Sequence, residues 1–169
     1  MEITSAQSFL NYYESIRQRT RNVIGTIPHD KFDWTYQEGK FTVADLVRHI
    51  AAVERYMFAE NFQFKPSRYP GHGKDLADGP ENVLAFFDRM HQETVEIIGK
   101  IPSEELKKKC TVVSGAQITL WKWMRALTEH EIHHRGQIYT YLGMLGVAAP
   151  PLYGLTEPQV RAMSSAEPA

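Results

Sequence analysis

Residues 120–146 read LWKWMRALTEHEIHHRGQIYTYLGMLG, and the spacing of apolar side chains in this stretch predicts one long amphipathic helix. Successive residues of a helix are rotated by about 100°, so each side chain can be compared in direction with His134. The apolar residues that point within about 40° of His134 are Leu120, Leu127, Ile138, Tyr141 and Leu145. His134 therefore belongs to the face that packs against the rest of the protein.

The segment HEIHHRGQ holds three histidines, and helical geometry separates them. His130 points about 40° to one side of His134, whereas His133 points about 100° away, toward the edge or solvent. Residues four apart lie one turn apart on the same face, a spacing that lets two imidazoles share one metal ion. Spacing alone also allows a hydrogen-bonded core cluster, because buried imidazole nitrogens need partners.

Three further segments have helical periodicity, at about residues 4–27, at about residues 42–60, and from Pro80 to about Ile98. The pair Thr4 and Gln7 predicts a capping box at the start of the first segment. Four amphipathic helices of roughly 20 residues predict an all-α four-helix bundle.

The connections between these helices are also predictable. Residues 63–80 contain three prolines and three glycines, which predict a long surface loop that helps to shape a pocket. Residues 103–108 predict at most a short helical turn, and residues 111–113 an extended segment. We expect a single domain over residues 1–163 and a frayed tail over residues 164–169.

Bulk composition excludes several classes of protein. The chain has 169 residues, 19 basic and 20 acidic, without a basic face, so nucleic acid is a poor candidate partner. No run of apolar residues is long enough for a membrane span. Cys110 is the only cysteine and cannot form an internal disulfide, which fits the reducing cytoplasm. The N-terminal residues lack the features of a signal peptide.

A third metal ligand would have to come from another helix, and His49 is the best candidate. It lies beside the apolar stripe of the second helix, which contains Leu46, Val53 and Tyr56. With His130 and His134 it would complete a three-nitrogen site with an open position, as expected of catalytic zinc. Asp45, one turn earlier, is either an acceptor for the His49 ring or a first-turn acid favoured by the helix dipole.

Other polar residues near the histidine pair allow more than one role. Glu131 and Gln137 each point about 60° from His134, on opposite sides, and either could position a water molecule or substrate. The alternative for Glu131 is a polar contact that holds a neighbouring helix. Arg135 points about 100° away, which indicates a structural or peripheral role. His29 and His72 are expected at the surface, and His91 at the surface or behind a ligand.

The segments DLVRHIAAVERYM (residues 45–57) and LTEHEIHHRGQIYTYLGMLG (residues 127–146) resemble the DinB-like family, which includes the YfiT-like proteins. The resemblance extends over nearly the whole chain, including PPLYGLTEPQV at residues 150–160. It implies a bundle of up-down-down-up topology with a long middle connection. It also implies a metal site, with zinc or nickel held by His49, His130 and His134, and a homodimer.

The resemblance leaves three functions open. The first is a thiol S-transferase, in which the metal activates a low-molecular-weight thiol that attacks an electrophilic small molecule. The second is a hydrolase that uses metal-bound water, with Glu131 or Gln137 positioning it. The third is a non-catalytic dimer that binds a metal ion or a small molecule.

The sequence also suggests where two copies would meet. The first and last helices carry more aromatic residues than one apolar stripe needs, and we expect Tyr12, Trp121 and Tyr139 to lie at the dimer surface.

Overall fold

Helices dominate the computed structural model, which describes residues 2–164. The helices are α1 (Ala6–Ile24), α2 (Val43–Val53), α3 (Ala59–Phe62), α4 (Pro80–Ile98), α5 (Leu120–Met144) and α6 (Glu157–Ser164), with short 3-10 helices at His29–Lys31 and Ser103–Lys107. A small antiparallel hairpin joins β1 (Lys109–Thr111) to β2 (Gln117–Thr119), with Cys110 opposite Ile118. No helix in the described part of the chain is long and apolar enough to cross a membrane.

The helix starts show which capping predictions were correct. Ser5, rather than Thr4, caps α1, because its hydroxyl accepts a hydrogen bond from the backbone N–H of Ser8. The predicted Thr4 capping box is therefore wrong by one residue. At α2, Thr42 and Asp45 form a reciprocal capping box, in which each side chain accepts a hydrogen bond from the other's backbone N–H. The predicted start of the second helix is confirmed.

The second helix of the bundle is longer and less regular than its periodicity predicts. After Val53 the chain enters a π-helical segment, Glu54–Phe58, and then continues as α3 to Phe62. The wider π turn changes the direction of the side chains that follow it. Within this segment both Glu54 and Phe58 are buried. We call the continuous unit of α2, the π turn and α3 the α2–α3 rod.

The order of contacts along the helices gives their relative directions. Along α1 and α5 the contacts advance together, from Tyr13–Glu131 to Ile16–Arg135, so these two helices are parallel. Along the α2–α3 rod, Arg55 binds Glu93 of α4. Seven residues earlier on the rod, Arg48 binds the carbonyl of residue 77, just before α4 begins, so the rod and α4 are also parallel.

The two parallel pairs run in opposite directions. Arg21 of α1 binds Asp88 of α4, whereas Glu14, earlier in α1, binds His91, later in α4. Helices α1 and α4 are therefore antiparallel. The bundle has the expected up-down-down-up topology, and residues 63–79 form its long middle connection.

A buried polar network joins the centres of all four long helices. The guanidinium of Arg17 pairs with the carboxylates of Glu54 and Glu131, and the Tyr13 hydroxyl donates to Glu131 at 2.8 Å. His91 bridges Glu54 at 2.8 Å and the half-exposed Glu14. His91 is therefore neither a surface residue nor a neighbour of the metal candidates, which corrects both expectations for it.

One helix was not predicted from the sequence, and one extended segment is displaced from its predicted position. Helix α6, near the C-terminus, is the helix that was not predicted, and it has no buried residue. Its last residue, Ser164, belongs to the segment expected to be frayed, and the remaining residues of that segment lie outside the described range. The extended segment expected at residues 111–113 lies two residues earlier, as β1.

The buried network predicts that His91 stabilises the metal-free protein, and that this contribution to the free energy of unfolding falls as pH rises above about 6.5. Burial lowers the pKa of His91, but hydrogen bonds and charge attraction from Glu54 outweigh it, and the pKa is raised. A raised pKa contributes stability that is complete below the pKa of the unfolded chain and is lost as pH rises through the folded value. Urea unfolding at about pH 6 to pH 8.5 measures the slope.

The measurement compares wild-type protein with His91→Gln, because the lowered pKa values of His49, His130 and His134 make the stability of both proteins rise with pH near 6.5. The difference in unfolding free energy between the two proteins should fall as pH rises, because glutamine does not titrate. A difference that stays constant or rises over the same interval would show that His91 is not held in its charged form.

Candidate metal site

Three imidazoles from two antiparallel helices converge at one point. His49 comes from α2, and His130 and His134 come from successive turns of α5. One nitrogen from each ring lies within 4.8 Å of the other two, and the Nε2 atoms of His49 and His130 are 3.3 Å apart. All three residues are half-buried. These are the three histidines singled out from the sequence, and their arrangement could hold one metal ion.

His133 lies outside this group, although its ring contacts that of His134. It is exposed, as the helical angle predicts. The ring of His130 instead packs beside Phe58, at 5.9 Å between centroids, and its Nδ1 is buried without a hydrogen-bond partner among the described residues. Packing therefore orients His130, and its Nε2 is the nitrogen that faces His49.

Hydrogen bonds orient the other two rings. The Nδ1 atom of His134 lies 2.7 Å from Oε1 of Gln137. An amide oxygen only accepts, so Nδ1 carries the hydrogen and Nε2 keeps its lone pair. The Nδ1 atom of His49 lies 2.8 Å from the Tyr69 hydroxyl, which in turn lies 3.2 Å from Nδ1 of His72. Donation from His49 to Tyr69, and from Tyr69 to His72, satisfies this chain and leaves Nε2 of His49 free.

Around His49, these contacts decide between the two roles expected of Asp45, in favour of the helix start, and correct the expectation for His72. Asp45 is not the acceptor for its ring, because its carboxylate binds Arg48 and the backbone N–H of Thr42. The acceptor is Tyr69, from the middle connection. His72 is not an ordinary surface residue, since its ring lies 4.1 Å from that of Phe41 and its carbonyl accepts from Arg48. Sequence patterns carried no signal for Tyr69, because it lies in a loop without periodicity.

The electrostatic environment keeps the imidazoles neutral. Burial, together with repulsion from His134 and His72, lowers the pKa of His49 to about 4. Burial and repulsion from His134 and His49 lower the pKa of His130 to about 3. Burial also lowers the pKa of His134, against the effect of its bond to Gln137. Neutral imidazole is the form that binds metal ions. The donor set therefore fits a divalent ion such as zinc or nickel.

A cavity of about 310 Å³ opens beside the histidines. Its walls are formed by Tyr36, Lys40, Phe41, Leu46, His49, His134, Gln137 and Tyr141. The residues before α2 thus line the cavity together with α2 and α5. The middle connection, which was expected to shape the pocket, instead contacts His49 through Tyr69 and does not line this cavity.

Comparison with known proteins gives the family. The sequence profile described as the DinB family matches residues 2–166. The chain belongs to the DinB family. This finding confirms the resemblance inferred from the two histidine-containing segments.

Several members of the DinB family have related sequences or folds. The chain is 23% identical over 150 residues to the uncharacterized protein YjoA of Bacillus subtilis (strain 168), covering 88% of this chain and 96% of YjoA. A crystal structure of YjoA superposes with a TM-score of 0.68 at 20% identity, over 86% of this chain and 96% of that one.

Two other solved structures have the same fold. A DinB-like protein from Bacillus cereus ATCC 10987 gives a TM-score of 0.74 at 14% identity, over 88% of this chain and 97% of that one. TT2238, described as a four-helix bundle protein, gives 0.62 at 20% identity, over 80% of this chain and 99% of that one. At such identities these likenesses establish the fold.

Within this DinB fold, the polar residues near the histidine pair have separate positions. Glu131 is buried in the network with Tyr13 and Arg17. It therefore makes the polar contact to a neighbouring helix that was the alternative expected for it. Gln137 orients His134 and also lines the cavity. Arg135 is buried and donates to the carbonyl of Ile16, so it is structural rather than peripheral. A role for Glu131 or Gln137 in positioning water or substrate stays a prediction.

The aromatic residues expected at a dimer surface also differ from one another. Tyr12 is exposed and lines a larger cavity of about 490 Å³ between α1 and α5, away from the three histidines. Trp121 is half-buried against the core. The Tyr139 hydroxyl donates to the carbonyl of Pro150, so the C-terminal segment covers this residue. Only Tyr12 remains as a clearly exposed member of the predicted surface.

The lowered pKa values predict the titration of the rings in metal-free protein. Because the pKa is about 4 for His49 and about 3 for His130, neither ring should take up a proton between neutral pH and about pH 5. Nitrogen-15 NMR of the imidazoles, recorded with a chelator present, measures this directly. Protonation of either ring near pH 6.5 would mean that the cluster is solvated rather than buried.

Proposed function

We propose that this DinB-family chain is a metal-dependent thiol S-transferase, with a divalent ion, zinc or nickel, held by His49, His130 and His134. The observation that carries the proposal is the convergence of three neutral imidazoles, two of which, His49 and His134, line a small open cavity. Three nitrogen ligands leave a coordination position for a substrate atom. Such an ion, when bound, would lower the pKa of a coordinating thiol so that the thiolate forms at neutral pH.

In this proposal the residues around the histidines orient the metal ligands and transfer no proton. Tyr69 and Gln137 hold two of the rings with Nε2 toward the common point. Outer contacts of this kind fix the tautomer and orientation of a ligand. Phe41, Leu46 and Tyr141 give the cavity an apolar part that could hold the carbon atoms of a substrate. In the transfer itself, the thiol loses its proton, a carbon–sulfur bond forms, and the bond from that carbon to its leaving group breaks.

Hydrolysis is the second candidate, and the composition of the cavity wall disfavours it. Among the residues that line the cavity there is no aspartate or glutamate to act as a base toward water. Glu131 is occupied by Tyr13 and Arg17. Gln137 remains as a group that could position water, but an amide does not accept a proton at neutral pH. Thiol transfer needs no protein base once the thiolate has formed.

We also propose that the protein acts in the cytoplasm as one domain, residues 1–163, and as a homodimer. A free, buried Cys110 and a reduced thiol co-substrate both suit a reducing compartment. The exposed Tyr12 beside the larger cavity supports a surface for a second copy.

Alanine substitutions on α5 test the ligand assignment and the activity together. His130→Ala or His134→Ala should abolish zinc binding at a stoichiometry of one, because a nitrogen ligand is lost. Turnover of monochlorobimane with a thiol, in which sulfur displaces chloride and fluorescence appears, should fall by orders of magnitude. His133→Ala is the matched control and should retain both properties, since its ring lies outside the cluster. Circular dichroism of each variant checks folding.

Distinct results would overturn distinct parts of this proposal. Loss of zinc in His133→Ala with retention in His130→Ala would refute the ligand assignment. Zinc-loaded wild-type protein that consumes no electrophile with glutathione, cysteine or bacillithiol, but cleaves an ester without thiol, would favour hydrolysis.

The homodimer is tested by the mass of the protein in solution. Multi-angle light scattering at micromolar concentration should give twice the monomer mass of 19.4 kDa. Tyr12→Glu should shift the protein toward the monomer, because it places a charge on an apolar surface. A wild-type protein that is monomeric under these conditions would remove the dimer from the proposal.

A further inference from the structure

Besides the two histidines, the cavity wall contains one basic side chain, that of Lys40. Its ammonium group forms no ion pair with the carboxylates of residues 2–164, and Lys40 comes from the loop before α2. The nearby acid Asp45 is occupied by Arg48 and by its own helix cap. The positive charge of Lys40 is therefore not neutralised by the protein.

The uncharged polar groups of the cavity wall also favour a ligand that accepts hydrogen bonds. The Oε1 atom of Gln137 is bonded to His134, so its amide N–H groups are the part left for a ligand. The Tyr36 hydroxyl is a further donor on the same wall. The Tyr141 hydroxyl donates to the carbonyl of Phe41. Among the described lining residues, the cavity thus offers hydrogen-bond donors and a cation but no carboxylate.

A divalent ion on the histidines would make this excess of positive charge larger, because the three imidazoles are neutral ligands. A ligand that enters such a site is favoured if it carries negative charge. The volume of about 310 Å³ is at the small end of ligand sites, and the wall also includes Phe41 and Leu46. The size and lining favour a short molecule with an apolar spacer.

We propose that the thiol substrate of this site carries a carboxylate, which Lys40 recognises with help from the Gln137 amide, while its sulfur occupies the histidine end of the cavity. This inference rests on the proposed function and adds the chemical class of the thiol. Lys40 is here a specificity-determining residue, because it selects the anionic thiol and takes no part in holding the metal ion.

Cobalt-loaded protein allows thiol binding to be measured without turnover, since a thiolate on cobalt gives a charge-transfer absorption band. The probes are mercaptopropionate and mercaptopropanol, which have the same chain length and differ in the terminal charge. Wild-type protein should bind mercaptopropionate about five- to tenfold more tightly than mercaptopropanol, the scale of one partly screened ion pair. In Lys40→Gln the ratio of the two affinities should fall to about one.

Two further variants isolate the charge at this position. Lys40→Arg should keep most of the preference, because the cation is retained. Lys100→Gln removes an exposed lysine outside the cavity and should leave the wild-type ratio unchanged. Lys40 is itself exposed in a loop, so these substitutions should not disturb folding.

The outcomes separate this inference from the function on which it rests. If both thiols produce the band with the same affinity ratio in wild-type protein and in Lys40→Gln, recognition of a carboxylate is refuted and thiol binding stands. If neither thiol produces the band on protein that holds cobalt, thiol binding at the metal fails, and the carboxylate inference fails with it.

Discussion

The packing of α2 against α5 determines whether this protein has a metal site. The two helices are antiparallel, so a histidine near the middle of α2 meets the α5 pair only in one register. Farther along the rod, Phe58 stacks on Trp123 at 4.5 Å between ring centroids, and the Trp123 indole donates to Asn61. These large, partly polar contacts hold the register. A shift by one helical turn, about 5.4 Å, would leave His49 beside at most one of the two α5 histidines, because they are themselves one turn apart.

A second constraint lies behind the site, in the buried network around Arg17. One guanidinium faces two carboxylates on different helices, and a bridging imidazole meets one of them. Removing a single member of such a network leaves a buried charge unpaired, which typically costs several kcal/mol, roughly 3–5. The π turn brings Glu54 into this network. The same turn also contains Phe58, which packs beside His130, so this irregular segment contacts both the polar network and the histidine cluster.

The chemistry available at the site follows from what surrounds the imidazoles. The outer nitrogens of His49 and His134 are hydrogen-bonded to a phenol and an amide, and that of His130 has no partner among the described residues. No carboxylate offsets the burial that keeps the three rings neutral. The nearby acid Glu131 points into the buried network, and Asp45 is held by its own helix cap. The cavity thus lacks a protein base. A reaction in which the nucleophile is activated by coordination alone suits these surroundings better than one that needs proton abstraction from water.

Periodicity by itself determined the four long helices, the inward direction of His130 and His134, and the outward direction of His133. These follow from local rules, because rotation per residue and apolar spacing are properties of a single helix. The position of His49 beside an apolar stripe made it a candidate for the third ligand. Whether it meets the other two histidines depends on how the helices of the whole bundle pack. The family-specific motif added the pairing of this histidine with the α5 pair.

Only the tertiary structure decided the contacts between segments far apart in the chain. Tyr69 lies in a loop without periodicity, and nothing in its neighbours predicts that its hydroxyl meets His49. Glu131 and Asp45 lie one residue and four residues from a histidine ligand candidate, yet both bind elsewhere because better partners come from other helices or from the helix cap. Lys40 became part of the cavity through the path of the loop before α2. Long-range contacts of this kind depend on how whole elements pack, which a local pattern does not encode.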